Sequence, residues 1–275
     1  MSIAEPMHGS SGAPAAKTVG LLLRRAPGQS VMEEVLALHD ARPPRSRFKR
    51  ILGVAPLAAS ASSWYQGALG ERVVGRQLAA LGPEWKVLHA VPVGEKGADI
   101  DHVVIGPTGV FTLNTKHHAD QSVWAARGAV LVNGRRQSYI RNAEHEATRA
   151  GRLLSAAVCH HVAVQPVIVV VGARRLVVKE KHRSVAVLTS DQLLRALTRR
   201  PVVLSPEHIS LLAAAAAQPS TWRRSPPVLQ PPADVVARFT VLEKLVRQAR
   251  RRRLGWILAA PVAVLASAAG ALPPF

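Results

Sequence analysis

Polar and apolar positions change rhythm several times along the chain. Over residues 67–81, Leu69, Val73, Val74, Leu78 and Leu81 recur at three- and four-residue spacing, which predicts an amphipathic helix. Gly82-Pro83 ends it. Short apolar runs follow at 85–91, 100–105, 110–115 and 130–132, and each reads as a strand. Between the second and third lies Gly106-Pro107-Thr108-Gly109. Proline presets the first central position of a turn and glycine closes it, so this stretch predicts a β-hairpin. A helix is expected over 139–158. The continuous apolar run 162–171 then reads as a buried strand, with a shorter strand at 185–189. Asp191 and Ser205 are suitable caps for helices at 192–197 and 206–217. This order predicts an α/β fold with a mixed sheet over residues 64–217.

The flanks have a different character. Residues 1–63 are expected to be poorly ordered, because small residues dominate the start and Pro43-Pro44 breaks what precedes it; a short helix fits 31–39. Five prolines in 218–233 predict a semi-rigid linker. In 234–253, Val235, Val236, Phe239, Leu242, Leu245, Val246 and Ala249 form one stripe of a basic amphipathic helix. Residues 254–272 hold no charge, and a helix of that length measures about 28 Å, close to the hydrocarbon thickness of a bilayer. Trp256 stands near its start, and Arg247 and Arg250 to Arg253 precede it. The expectation is a C-terminal transmembrane helix, a single-pass anchor with the main domain cytoplasmic. A buried or interfacial helix is the alternative.

Composition narrows the partners. With Lys+Arg 36 against Asp+Glu 17, the net charge of +19 suggests nucleic acid or an anionic membrane surface. The single cysteine, Cys159, excludes an internal disulfide framework and a Cys-cluster zinc site. Aromatics at 4% argue against stacking platforms for single strands.

Candidate chemistry gathers on the hairpin. Side chains alternate along a strand, so Asn114 and Lys116 share a face that Asp101 can meet from the neighbouring strand. An acid and a lysine at a sheet edge suit metal-assisted phosphodiester cleavage, although a surface ion pair has the same pattern. Asp99 is a candidate second carboxylate, or a solvated loop residue. His118 would share the face of Lys116 and contact phosphate or act as an acid, or simply end the strand as a polar residue. Arg141, Arg149 and Arg152 lie roughly on one helical side, where they would follow a phosphate backbone or stand as solvated helix arginines. Cys159-His160-His161 cannot chelate one ion from a regular helix, and Glu144-His145-Glu146 lacks zincin spacing.

Gly67, Gly70 and Glu71 on the first helix, the run Ile100-Asp101-His102-Val103-Val104-Ile105-Gly106-Pro107 with Gly109-Val110-Phe111, and then Lys116, resemble the nuclease-related domain (NERD). That domain is similar in pattern to the PD-(D/E)xK nucleases. The resemblance covers roughly 64–170 and implies a restriction-endonuclease-like mixed sheet flanked by helices. It implies Asp101 and Lys116 as catalytic residues, and Asp101, Glu71 and Asn114 as ligands of Mg²⁺. Asn114 falls where the motif has an acid, which removes one negative charge. The expected function is therefore Mg²⁺-dependent hydrolysis of DNA or RNA at the cytosolic membrane face. The alternative is a non-catalytic, membrane-tethered module that binds nucleic acid or another partner.

Overall fold

The computed structural model describes residues 22–93, 98–126, 128–223 and 230–270. The chain divides into two compact units. One joins the residues up to 30 with 66–232, and the other joins 31–65 with 233–275.

The larger unit is built on a five-stranded sheet ordered β1-β2-β3-β7-β9. Its strands are β1 (Lys86–Pro92), β2 (Asp99–Gly106), β3 (Gly109–His117), β7 (Val164–Val171) and β9 (Ala186–Thr189). The first three pair antiparallel, then β3, β7 and β9 run parallel. The expected hairpin forms with Gly106 opposite Gly109. Glycine is required at 106, because a Cβ there would stand 2.2 Å from the Trp85 ring. The crossover from β3 to β7 carries the helix over Tyr139–Val158, here α4, as the pattern of residues predicts.

Alternation along β3 divides the core between two faces. Phe111 and Leu113 pack with Val74 and Leu78 of α3 (Ala59–Leu78) and with Leu193 and Leu197 of α5 (Leu193–Thr198). Val103 and Val110 pack with Leu154 of α4 and with Ile209 and Leu212 of α6 (Pro206–Ala217). The sheet is thus flanked by helices, as the mixed α/β reading expects.

A second sheet, ordered β6-β5-β4-β8, is largely absent from the sequence reading. Only β5 (Ala129–Val132) was expected; β4 (Ser122–Ala126), β6 (Arg135–Gln137) and β8 (Arg175–Val178) were not. Asn133 and Gly134 join β5 to β6 with φ of 48° and 81°, the left-handed pair of a two-residue hairpin. The expected linker also begins inside the fold. Pro219–Trp222 is a short helix, α7, whose buried Trp222 donates its indole N–H to the Ala216 carbonyl at 2.7 Å. Residues 224–229 of that linker lie outside the described residues.

The smaller unit is helical. The N-terminal region expected to lack order contains α1 (Gln29–Asp40) and α2 (Arg47–Ile51). The long α8 (Pro232–Gly270) buries Val235, Phe239, Leu242 and Ala249, and Met32, Val35 and Tyr65 of the same unit are buried as well. The Tyr65 and Phe239 rings lie 5.6 Å apart, and Arg238 pairs with Asp40.

The membrane expectation is corrected here. Among the described residues, no helix is long and apolar enough to cross a membrane, so the single-pass anchor and its cytoplasmic topology do not stand. The apolar stretch is the continuation of α8, and its opening residues Leu254, Trp256, Ile257 and Leu258 are exposed. Trp256 donates its indole N–H to the Ile51 carbonyl, and Arg252 donates to the Arg50 carbonyl, each at 2.9 Å. Residues 271–275 lie outside the described residues.

Gly53 sets how closely the α2 segment approaches α8. Its φ is +70°, and an added Cβ would lie 2.5 Å from both the Ala249 carbonyl oxygen and the Arg253 nitrogen. Gly134 also has positive φ, +81°, but has open space around it. Gly134→Ala should therefore cost only the left-handed penalty, roughly 1–2 kcal/mol. Gly53→Ala should cost clearly more in denaturant unfolding, because backbone must move. Equal losses for the two would show that the close approach contributes nothing.

Candidate active site at the end of the central hairpin

Three elements bring the chemistry together. β2–β3 pairing runs from Gly106↔Gly109 to His102↔Leu113. Beyond it the Asp101 side chain takes over, and its Oδ2 accepts the Thr115 backbone N–H at 2.6 Å. Pairing with β1 also lapses at this point: His89 faces His102 and Val91 faces Ile100, while Ala90 between them has φ of 48°. An interrupted ladder thus frees the Asp101 carboxylate to turn toward β3 and fixes its position there.

Glu71 arrives from α3. Gly70 lets that helix sit close to the end of β3, since a Cβ would meet the His117 Cβ at 2.9 Å. Glu71 is 5% exposed and takes a hydrogen bond from the Gly28 backbone N–H. Burial pushes its carboxyl well above the usual range, and the nearby Asp101 and Asp99 charges push it further; Lys116 opposes them. Burial likewise raises Asp101, against the pull of Lys116 and the Thr115 N–H.

The third contribution comes from α4 and was dismissed in the sequence as part of a failed zincin pattern. Asn114 donates its amide N–H to Glu146 Oε1 at 2.7 Å. Burial lifts the Glu146 carboxyl to about 7, with the Asp101 charge adding to the rise and Asn114 and Lys116 opposing it. The sequence signal for it was the α4 stripe. Ile140, Ala143, Ala147, Ala150 and Leu154 face the core, so Glu146, one residue before Ala147, borders that face.

Lys116 acts on Glu71, Asp101 and Glu146 alike. Its Nζ lies 5.2 Å from the centre of the Tyr139 ring. Tyr139 in turn stacks on His118 and meets its Nε2 at 3.2 Å through the hydroxyl. His118 thus stands in the same group, through a tyrosine that the sequence reading did not select. Asp99 and Glu146 line a cavity of about 330 Å³ together with Arg141, His145 and Arg149. Arg149 and Arg152 line a neighbouring one with His145 and Thr148. Of the three arginines expected on one helical side, Arg141 and Arg149 therefore stand beside the carboxylates, and Arg152 lines the neighbouring cavity. Cys159 is exposed and closes α4 in a left-handed conformation, away from this chemistry.

Hard oxygen donors are present. Asn114 Oδ1 and Glu146 Oε2 are buried and accept no hydrogen bond. Among the described residues, no group of three or more His, Cys, Asp or Glu is arranged to hold a metal ion. A cation here would rest on fewer carboxylates, an amide oxygen and water, a set that Mg²⁺ accepts.

Residues 66–171 match the family described as nuclease-related domain, and the Asp101–Lys116 hairpin lies within that match. The resemblance read from the residues is thereby shown, with its general similarity to PD-(D/E)xK nucleases. The chain is also similar to an uncharacterized protein of Bacillus anthracis, 35% identical over 88 residues, or 30% of this chain. The match spans 42% of that protein's own length. No solved structure matches.

Beside Asp101 lies a buried histidine pair. His89 and His102 meet Nδ1 to Nδ1 at 2.8 Å, with His102 fully buried. Burial lowers His89 from 6.5 to about 4. The unfolded chain takes up a proton near pH 6.5 and the folded one does not. The contribution of His89 is therefore complete above that pH and is lost as pH falls toward 4, by at most about 3 kcal/mol. Unfolding of His89→Gln, which keeps a hydrogen-bonding side chain but no titration, should show a shallower acid slope over this window. An unchanged slope would mean that His89 is protonated in the folded chain.

Proposed function

We propose that this chain is a metal-dependent phosphodiester hydrolase acting on nucleic acid. One observation carries the reading: Asp101, held by the Thr115 N–H, the Asn114–Glu146 pair and Lys116 gather at the end of β3, inside the segment that matches a nuclease-related domain. Asp101 and Asn114 Oδ1 are the donors we assign to Mg²⁺, with Glu71 buried beside them. Bound there, the ion would neutralise developing charge on the phosphoryl group and lower the pKa of a bound water.

The chain's own residues supply the rest. The Thr115 N–H keeps the Asp101 carboxylate aimed at one place, so no reorientation is needed when substrate arrives. Lys116, braced against Tyr139, offers positive charge to a non-bridging phosphate oxygen or to the attacking water. Arg141 and Arg149 along the adjoining cavity give a phosphate backbone somewhere to lie. A second reading, a binding module without hydrolysis, is favoured by one observation alone, the amide at 114 in place of an acid.

The test is incubation of the full-length chain with duplex and single-stranded DNA and RNA, in Mg²⁺, in Mn²⁺ and in chelator. Cleavage should require the metal, and Lys116→Ala should reduce it by roughly 10²–10³ without loss of fold. Binding with no cleavage of any substrate would instead establish the module reading. For the arginines, binding titrations across salt concentration are decisive. Arg141→Ala and Arg149→Ala should each lower the salt slope by about 1, whereas Arg175→Ala on β8 should leave it unchanged. Identical slopes for all three would remove α4 from the substrate path.

A further inference from the structure

The proposed hydrolase has a defect in its own motif: the position that should carry the second acid is Asn114. We propose that Glu146 of α4 is that second carboxylate, delivered from the crossover helix, and that Asn114 has become its positioning partner. This rests on the proposed metal-dependent reading and names a ligand that the hairpin motif does not contain.

The geometry is specific. The Asn114 amide N–H donates to Glu146 Oε1 at 2.7 Å, so the helix carboxylate sits beside the place an acid at 114 would occupy. That bond uses one oxygen of Glu146 and leaves Oε2 buried with no partner, and it leaves Asn114 Oδ1 in the same condition. Two buried oxygens without donors thus belong to one hydrogen-bonded side-chain pair, within reach of the Asp101 charge. A buried acceptor left unsatisfied costs free energy, so a side-chain pair retaining two of them is suited to a hard divalent ion. Glu71 is less suited to this role, because it is almost fully buried and held by the Gly28 N–H. Glu146 is only partly buried and also lines the cavity from which ion and substrate would arrive.

An exchange of the two side chains tests this. In Asn114→Asp combined with Glu146→Gln, the hydrogen bond is retained with donor and acceptor reversed, and the charge moves to β3. The readout is Mn²⁺ binding to the full-length chain by titration calorimetry, with fold checked by circular dichroism, so that no turnover is needed. Glu146→Gln alone should weaken Mn²⁺ binding by at least about tenfold. The double exchange should restore affinity to within a few-fold of the parent. Parent-like binding by Glu146→Gln overturns the assignment of Glu146 but leaves the metal-dependent reading intact. A double exchange no better than Glu146→Gln shows a structural role and also overturns it. A parent that binds no Mn²⁺ overturns both.

Discussion

Negative charge held in a place with little water is the constraint on which the site depends. Glu71, Asp101 and Glu146 are each raised by burial first and by their neighbours second. Lys116 is the cation whose charge reaches all three. Burial of three carboxyls around one ammonium disfavours their charged forms. The packing leaves little slack for the acids to move apart. Gly70 draws α3 onto the end of β3, an interrupted ladder directs Asp101 to the Thr115 N–H, and α4 brings Glu146 onto Asn114.

The fold serves this gathering. Parallel pairing of β3 with β7 requires a crossover, and the crossover is α4, which carries Glu146, Arg141 and Arg149 past the end of β3. The same helix therefore contributes an acid to the site and basic side chains to the cavity beside it. Antiparallel pairing of β2 with β3 sets Asp101 near Asn114 within a single short hairpin.

What the residues alone reveal follows from the range of the interactions involved. The hairpin turn at 106–109 and the helix Tyr139–Val158 are local, and both were legible. Asn133-Gly134 was equally local and marked a hairpin that went unread. The strands β4 and β8 are short and pair with each other across about fifty residues, so no local pattern announces that pairing. Glu146 was invisible for a related reason: its meaning lies in Asn114, 32 positions away. The membrane anchor is overturned because, among the described residues, no helix is long and apolar enough to cross a membrane. Trp256 looks like an interfacial aromatic in sequence, but its N–H is bonded to the Ile51 carbonyl.

The account's central claim is a divalent cation beside Asp101 and Asn114, and its position can be measured directly. Crystals of the full-length chain soaked in Mn²⁺ give an anomalous signal that locates the ion without reference to activity. The account predicts a peak within about 2.0–2.3 Å of Asp101 and Asn114 Oδ1, at the end of β3. A well-ordered site with no peak there, or a peak bound elsewhere on the chain, would contradict it.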